Sequence, residues 1–195
     1  MNIILASKSP RRKQLLAQIG LKFDIVSSDV DENIVHYRNN PAEYCQELAK
    51  LKSEKVSKMN SNSLVIGADT IVVIDNIVLG KPKGKIDAFN MLQLLSGKTH
   101  HVFTGVSIQN MARDISISFF SETAVTFHKL NNSDIEYYIN NFFPFDKAGS
   151  YGIQDWSSIF VKEISGCYYN VVGFPISKFY QEIKNLEIEL NLVNN

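Results

Sequence analysis

An α/β fold with a mixed sheet and helices on its faces is predicted by three features of this 195-residue chain. Short runs of β-branched and aliphatic residues alternate with segments whose apolar residues recur at helical spacing. Asp75–Asn76 is tight-turn chemistry between two such runs, and three strand-like runs follow one another at 101–109, 114–120 and 123–130. These interleaved hairpins argue against a purely parallel, doubly wound sheet. The length suits one domain, residues 1–195, with a sizeable core and room for two lobes.

Ile3–Ala6 reads as a short buried strand leading straight into a helix. Ser9 has N-cap chemistry, Pro10 suits the first helical position and Gly20 the stop, with Leu15, Leu16 and Ile19 at helical spacing between them. A second strand is expected over Leu21–Val26, followed by the acidic stretch "SSDVDEN". Pro41 after Asn40 opens a helix to about Lys58. "LVIGADTIVVI" is a buried strand with a break in it, and Asp75–Asn76 turns it into "IVLGKP". Ile86–Leu95 is helical and stops at Gly97. Beyond the three strand-like runs, Ser133 with Glu136 is a capping box for a helix through Ile139. "IFVKEI" and "YYNVVGF" read as strands, and Ile176, Phe179, Ile183 and Leu186 repeat at helical spacing after Pro175.

Twenty lysines and arginines balance twenty acids, so composition gives no reason to expect a nucleic acid polymer or a membrane as partner. Cys45 and Cys167 lack metal-ligand spacing and read as reduced thiols. The N-terminal apolar run is too short for a signal peptide or a membrane span, which makes the cytoplasm the expected location.

Three local anomalies carry the chemistry. The first helix begins with Arg11, Arg12 and Lys13, and Lys8 precedes its cap, although each cation there opposes the helix dipole by roughly 0.3–1 kcal/mol. Either this is a solvated basic surface or it is an anion site, in which free N–H groups, arginines and the hydroxyls of Ser7 and Ser9 await a polyanion. On the second reading, removing the arginines would leave the empty protein intact or slightly more stable. Lys52 lies in the middle of an apolar stripe formed by Cys45, Leu48, Ala49 and Val56, where it must snorkel or meet an anion. Asp69 interrupts a buried strand just after Gly67, which permits close backbone approach or a bulge. It is either a cap or turn residue, or a base or metal ligand at a cleft. "DVDENI" is not an EF-hand loop, because Ile34 stands where glycine is needed. "SGKTH" is not a P-loop, because Leu92 stands where the first glycine belongs. His100 and His101 are strand neighbours that point to opposite faces, which excludes a shared metal.

With these residues assembled, the chain resembles the Maf family of nucleoside triphosphate pyrophosphatases over nearly its whole length. "LASKSPRR" is similar to the family's S-x-S-P-R-R signature, and "DVDE", "LAKLK", "GADT", "VLGKP" and "SGKTHHVFTGV" follow in family order. "KAGSYGIQD" and "FVKEISGCYYNVVGFP" resemble the branch that hydrolyses dTTP and UTP, in which the glutamine of G-I-Q matters for substrate choice. One departure is Ser53, where the family usually has alanine after the helix lysine.

The resemblance implies a curved mixed sheet between two lobes, as in inosine triphosphatase-like folds, with the site in a central cleft, and a homodimer. It implies a divalent cation, Mg²⁺ or Mn²⁺, near Glu32 and Asp69, with Asp69 as general base. It also implies phosphate contacts from Ser7, Arg11, Arg12, Lys52 and Lys81, and specificity from Arg11, Thr70 and Gln154. The implied reaction turns dTTP, UTP and modified pyrimidine nucleotides into nucleoside monophosphate and pyrophosphate, a house-cleaning activity. The alternative is a nucleotide-binding regulator of cell division or septum formation that does not turn its ligand over.

Overall fold

The computed structural model describes residues 1–186 and 188. In chain order the strands and helices are β1 (Ile3–Leu5), α1 (Pro10–Gln18), β2 (Asp24–Ile25), α2 (Pro41–Met59), β3 (Leu64–Ile74), β4 (Ile77–Leu79), α3 (Lys85–Leu95), β5 (Thr99–Asn110), β6 (Ile115–Phe127), α4 (Asn132–Phe142), β7 (Val161–Ser165), α5 (Tyr168–Val172) and α6 (Ile176–Asn185). The strands form one seven-stranded sheet in the order β2-β1-β3-β5-β6-β7, with β4 paired to β3. β1 runs parallel to β2 and β3, whereas β3–β4 and β6–β7 are antiparallel, so the sheet is mixed as expected.

Two compact units divide the chain. Unit 1 comprises Met1–Asp69, Thr104–Ser121 and Gly173–Asn195, and unit 2 comprises Thr70–Phe103 and Glu122–Val172. In unit 1, Ile4, Ala6, Val56 and Val65 form a buried cluster with Val26 against it. In unit 2 the core gathers Leu92, Leu95, Val125, Phe127, Tyr138 and Phe160. The β3–β4 turn closes with Ile74 opposite Ile77, and both Asp75 and Asn76 have positive φ, as a two-residue type I′ hairpin demands.

Several elements differ from the sequence expectation. β2 covers only Asp24–Ile25, because Gly20 and Leu21 send their N–H groups back to Ala17 and Leu16 at the end of α1. β3 is a single strand without a break, and β6 is one strand where two were expected. Ser121–Glu122 is no turn: Glu122 stays in the ladder, 2.8 Å from His101 Nδ1. The capping box at Ser133 does not form. α4 starts earlier, with Ile135 N–H already donating to the Asn131 carbonyl, and it runs on to Phe142, where Tyr138 and Phe142 stack on Trp156. β7 begins late because Trp156–Phe160 winds as a 3₁₀ turn capped by Asp155. "YYNVVGF" is not a strand. Its first five residues form α5, and the Asn170 amide donates to the Val102 carbonyl and to Thr123 Oγ1 inside unit 2.

Candidate functional site

Two glycines set the geometry of the site in unit 1. A Cβ on Gly67 of β3 would lie 2.2 Å from the Ala49 carbonyl oxygen, and one on Gly105 of β5 2.3 Å from the Cys45 carbonyl. Helix α2 therefore lies directly on these strands, close approach being the role of Gly67. Asp69 is two residues beyond Gly67 and points to the same face of β3. Lys52 is one turn beyond Ala49, so the two side chains meet. Lys52 Nζ is 2.5 Å from Asp69 Oδ1 and 2.8 Å from Glu32 Oε1, with Lys52 and Asp69 side chains nearly buried and Glu32 half exposed. The lysine thus meets anions instead of snorkelling, and the strand carboxylate is paired.

Glu32 reaches this point from a fastened loop. Lys8 bonds Asp29 at 2.9 Å, Lys55 donates to the Asp29 carbonyl and Ser27 donates to its carboxylate. The bonds from Lys8 and Ser27 hold the Asp29 carboxyl below the usual carboxylate range. Asp31 then caps the 3₁₀ turn Glu32–Ile34 through the Asn33 N–H.

Ser9 caps α1, its hydroxyl facing Arg12 N–H at 3.5 Å, and Ser7 Oγ accepts from Ser9 N–H. Arg12 turns inward. Its Nε donates to the Gly173 carbonyl at 3.0 Å, and its Nη1 to the Ala68 carbonyl at 2.8 Å and to Ser7 Oγ at 3.2 Å. Burial lowers the Arg12 pKa, while the charges of Asp69 and Glu32 oppose that shift. The resemblance makes Arg12 a phosphate contact; the structure adds that it bonds two carbonyls and the Ser7 hydroxyl beside Asp69. Arg11 stands in the same electrostatic neighbourhood.

Of two further features, sequence reasoning missed Tyr44 and named Ser53 only as a departure from the family pattern. Tyr44 lies on the ridge of α2 that runs through Leu48 to Lys52, edge-on to Tyr37 at 5.5 Å. Burial raises its pKa, as do the charges of Asp69 and Glu32. Its i, i+4, i+8 spacing from Lys52 was the available signal. Ser53, the departure from the family pattern, is fully buried and donates to the Lys50 carbonyl, with Ser107 Oγ 3.0 Å away. Cys45, earlier in α2, is fully buried, and burial pushes its thiol up to about 12.

Thr70, Lys81 and Gln154 belong to unit 2. Thr70 follows Asp69 along β3 and so points to the opposite face. Lys81 is exposed, in a segment fastened to the Gln154 loop by the bond from Gly149 N–H to the Gly80 carbonyl. Gln154 is exposed on a stiff loop: Asp155 takes bonds from Ser157, Lys147 and Tyr138, and Ser157 Oγ accepts Gly152 N–H.

Among the described residues no three His, Cys, Asp or Glu side chains gather as a protein-only metal site requires. Glu32 and Asp69 nevertheless converge on one nitrogen. Two carboxylates completed by phosphate oxygens and water are the donor set Mg²⁺ or Mn²⁺ accepts, so these residues fit such an ion. No helix among the described residues is long and apolar enough to cross a membrane.

The sequence matches curated relatives along nearly its whole length. A dTTP/UTP pyrophosphatase of Bacillus anthracis (strain CDC 684 / NRRL 3495) is 49% identical over 188 residues, covering 96% of this chain and 97% of that protein. One from Bacillus cereus (strain ATCC 10987 / NRS 248) is 50% identical, covering 96% and 91%. A HAM1 protein structure from Coxiella burnetii overlaps at 13% identity with a TM-score of 0.45, over 65% of this chain and 73% of that one. The profile of Maf-like proteins matches residues 2–186, and the chain belongs to the Maf family.

Proposed function

We propose that this chain is a nucleoside triphosphate pyrophosphatase that converts dTTP and UTP, and modified pyrimidine nucleotides, to the monophosphate and pyrophosphate. The observation that carries the chemistry is the buried Asp69 carboxylate, held by Lys52 and joined by Glu32, beside a helix start rich in cations. The likeness to relatives named for dTTP and UTP supports the substrate class.

Water attacks the α-phosphorus, the bond to the bridging oxygen breaks, and pyrophosphate leaves. Asp69 accepts the proton of the water. Arg11, Ser7 and the first-turn N–H groups of α1 bind phosphate oxygens where negative charge grows. Arg12 holds the Ala68 carbonyl, and thereby the backbone next to the base, and we also take it as a phosphate contact. Glu32 and Asp69 would hold a divalent cation, which when bound neutralises phosphate charge and acts as a Lewis acid. Gln154 offers one donor and one acceptor to the O4 and N3–H edge shared by uracil and thymine, which cytosine reverses. Thr70 and Lys81 complete the proposed specificity and phosphate contacts. We take the whole chain to work as one catalytic domain, as a homodimer in the cytoplasm.

The test is product analysis over a panel of nucleoside triphosphates. Pyrophosphate release favouring dTTP and UTP is expected, and Gln154→Ala should flatten that preference, since a site built to pair buried polar groups rejects mismatches strongly. Tight nucleotide binding without turnover would instead favour the regulator of cell division. Full retention of the preference in Gln154→Ala would assign base reading elsewhere.

A further inference from the structure

We infer that Lys52 is an exchangeable counter-ion, whose ammonium in the free protein fills the place between Asp69 and Glu32 that a divalent cation takes on arriving with a triphosphate. The inference deepens the pyrophosphatase reading and rests on it for the identity of the ligand.

The geometry is that of one cation serving two carboxylates. Nζ contacts Asp69 Oδ1 at 2.5 Å and Glu32 Oε1 at 2.8 Å, and the lysine side chain is nearly buried. A divalent ion bound by the same oxygens sits about 2.0–2.2 Å from each, which leaves no room for the ammonium between them. Like charges at that range, away from bulk water, repel strongly. A metal ion alone must therefore displace Lys52 and leave its charge nearly buried without a partner, a costly state.

Charge balance points the same way. Asp69 and Glu32 face Lys52 and Arg12, with Arg11 in the same electrostatic neighbourhood, so positive charge already at least balances the two carboxylates before any ligand arrives, and Arg12 bonds the carbonyls of Ala68 and Gly173. A lone divalent cation would drive the site to a net positive charge. A triphosphate removes the obstacle, because its oxygens accept the hydrogen bonds that Lys52 gives up. The backbone of α2 stays in place, fixed by the contact between Ala49 and Gly67, and only the lysine side chain moves. Metal and nucleotide consequently enter together, and Lys52 changes from carboxylate partner to phosphate partner as they do.

The test uses Mn²⁺ as its chloride, titrated into nucleotide-free protein and followed by the electron paramagnetic resonance of the free aqua ion. Wild type is expected to bind weakly. Lys52→Met should bind Mn²⁺ at least about tenfold more tightly, because both carboxylates are released to the metal. Lys52→Arg keeps the charge and should stay weak. Equal affinities in wild type and Lys52→Met overturn the inference. If Lys52→Met does not fold by circular dichroism, wild type decides alone: its Mn²⁺ affinity should rise at least about tenfold with a non-hydrolysable dUTP analogue, beyond the metal bound by the analogue itself. No such rise overturns the inference as well. The readout is separate from turnover. A protein that shows this metal behaviour but releases no pyrophosphate loses the catalytic reading and keeps the counter-ion, and a hydrolase with equal affinities does the reverse.

Discussion

Arg12 gives three hydrogen bonds to acceptors that come from three separate stretches of unit 1: Ser7, Ala68 and Gly173. Removing it leaves two carbonyls and a hydroxyl without a charged donor, and charged hydrogen bonds contribute about 1.5–3 kcal/mol each. Arg12→Ala should therefore lower stability by roughly 2–4 kcal/mol in a denaturant titration. Arg11→Ala should impair turnover beyond any change in folded fraction, because Arg11 is proposed to contact phosphate where charge grows. The sequence could not reveal this role of Arg12, because nothing in "SPRRK" says that the second arginine meets a chain segment 161 positions away. Asp69 is the simpler case. Asp69→Asn keeps an acceptor for Lys52, and Glu32 still holds that lysine, so the fold should survive. Turnover should fall by about 10²–10⁴ while nucleotide binding persists or tightens, as single-turnover and equilibrium-binding measurements will read separately.

At the scale of elements, long periodic segments were legible and short apolar runs were not. α1, α2, α3 and α6 were visible from spacing, caps and stop glycines, since each repeats its pattern over several turns. "YYNVVGF" misled because five apolar or aromatic residues fit a strand and a turn of helix equally well, and the buried amide of Asn170 decides between them. Ser133 misled because a capping box needs its serine outside the helix, and here Asn131 already accepts the first helical bond. The core of the site was legible for a physical reason: a lysine and a carboxylate in apolar runs each required a partner, and they found one another. Gly67 made that meeting geometrically possible. A methyl group there would overlap the Ala49 carbonyl, which belongs to helix backbone and cannot turn aside. Gly67→Ala should thus cost roughly 1–3 kcal/mol or more and push α2 away from β3. Activity should drop further than stability explains, because Lys52 rides on the displaced helix; activity that follows only the folded fraction would count against this coupling.

For the molecule as a whole, equal numbers of acids and bases leave acid sensitivity to particular buried groups. His100 is the clearest of them. It is fully buried in unit 2, its Nε2 is 2.8 Å from the Tyr151 hydroxyl, and it packs edge-on against Phe127 and Tyr151 at 4.8 and 5.3 Å. Its Nδ1 meets no hydrogen-bond partner among the described residues. Burial, helped by neighbouring His101, pushes the His100 pKa down from 6.5 to about 3. The unfolded chain takes up this proton near pH 6.5, whereas the folded protein does so only near pH 3. Between these values the unfolded state holds more protons, so the contribution is complete above pH 6.5 and is lost as the pH falls through that window. The slope is at most about 1.4 kcal/mol per pH unit. Chemical denaturation at about pH 7 and pH 5 stays above the range where most carboxylates titrate, and should show wild type losing roughly 1–2 kcal/mol between them. His100→Gln, which keeps a polar group for Tyr151 but has no proton to take up, should start less stable and change little over the same interval. An equal pH-dependent loss in both proteins would show that the sensitivity lies elsewhere.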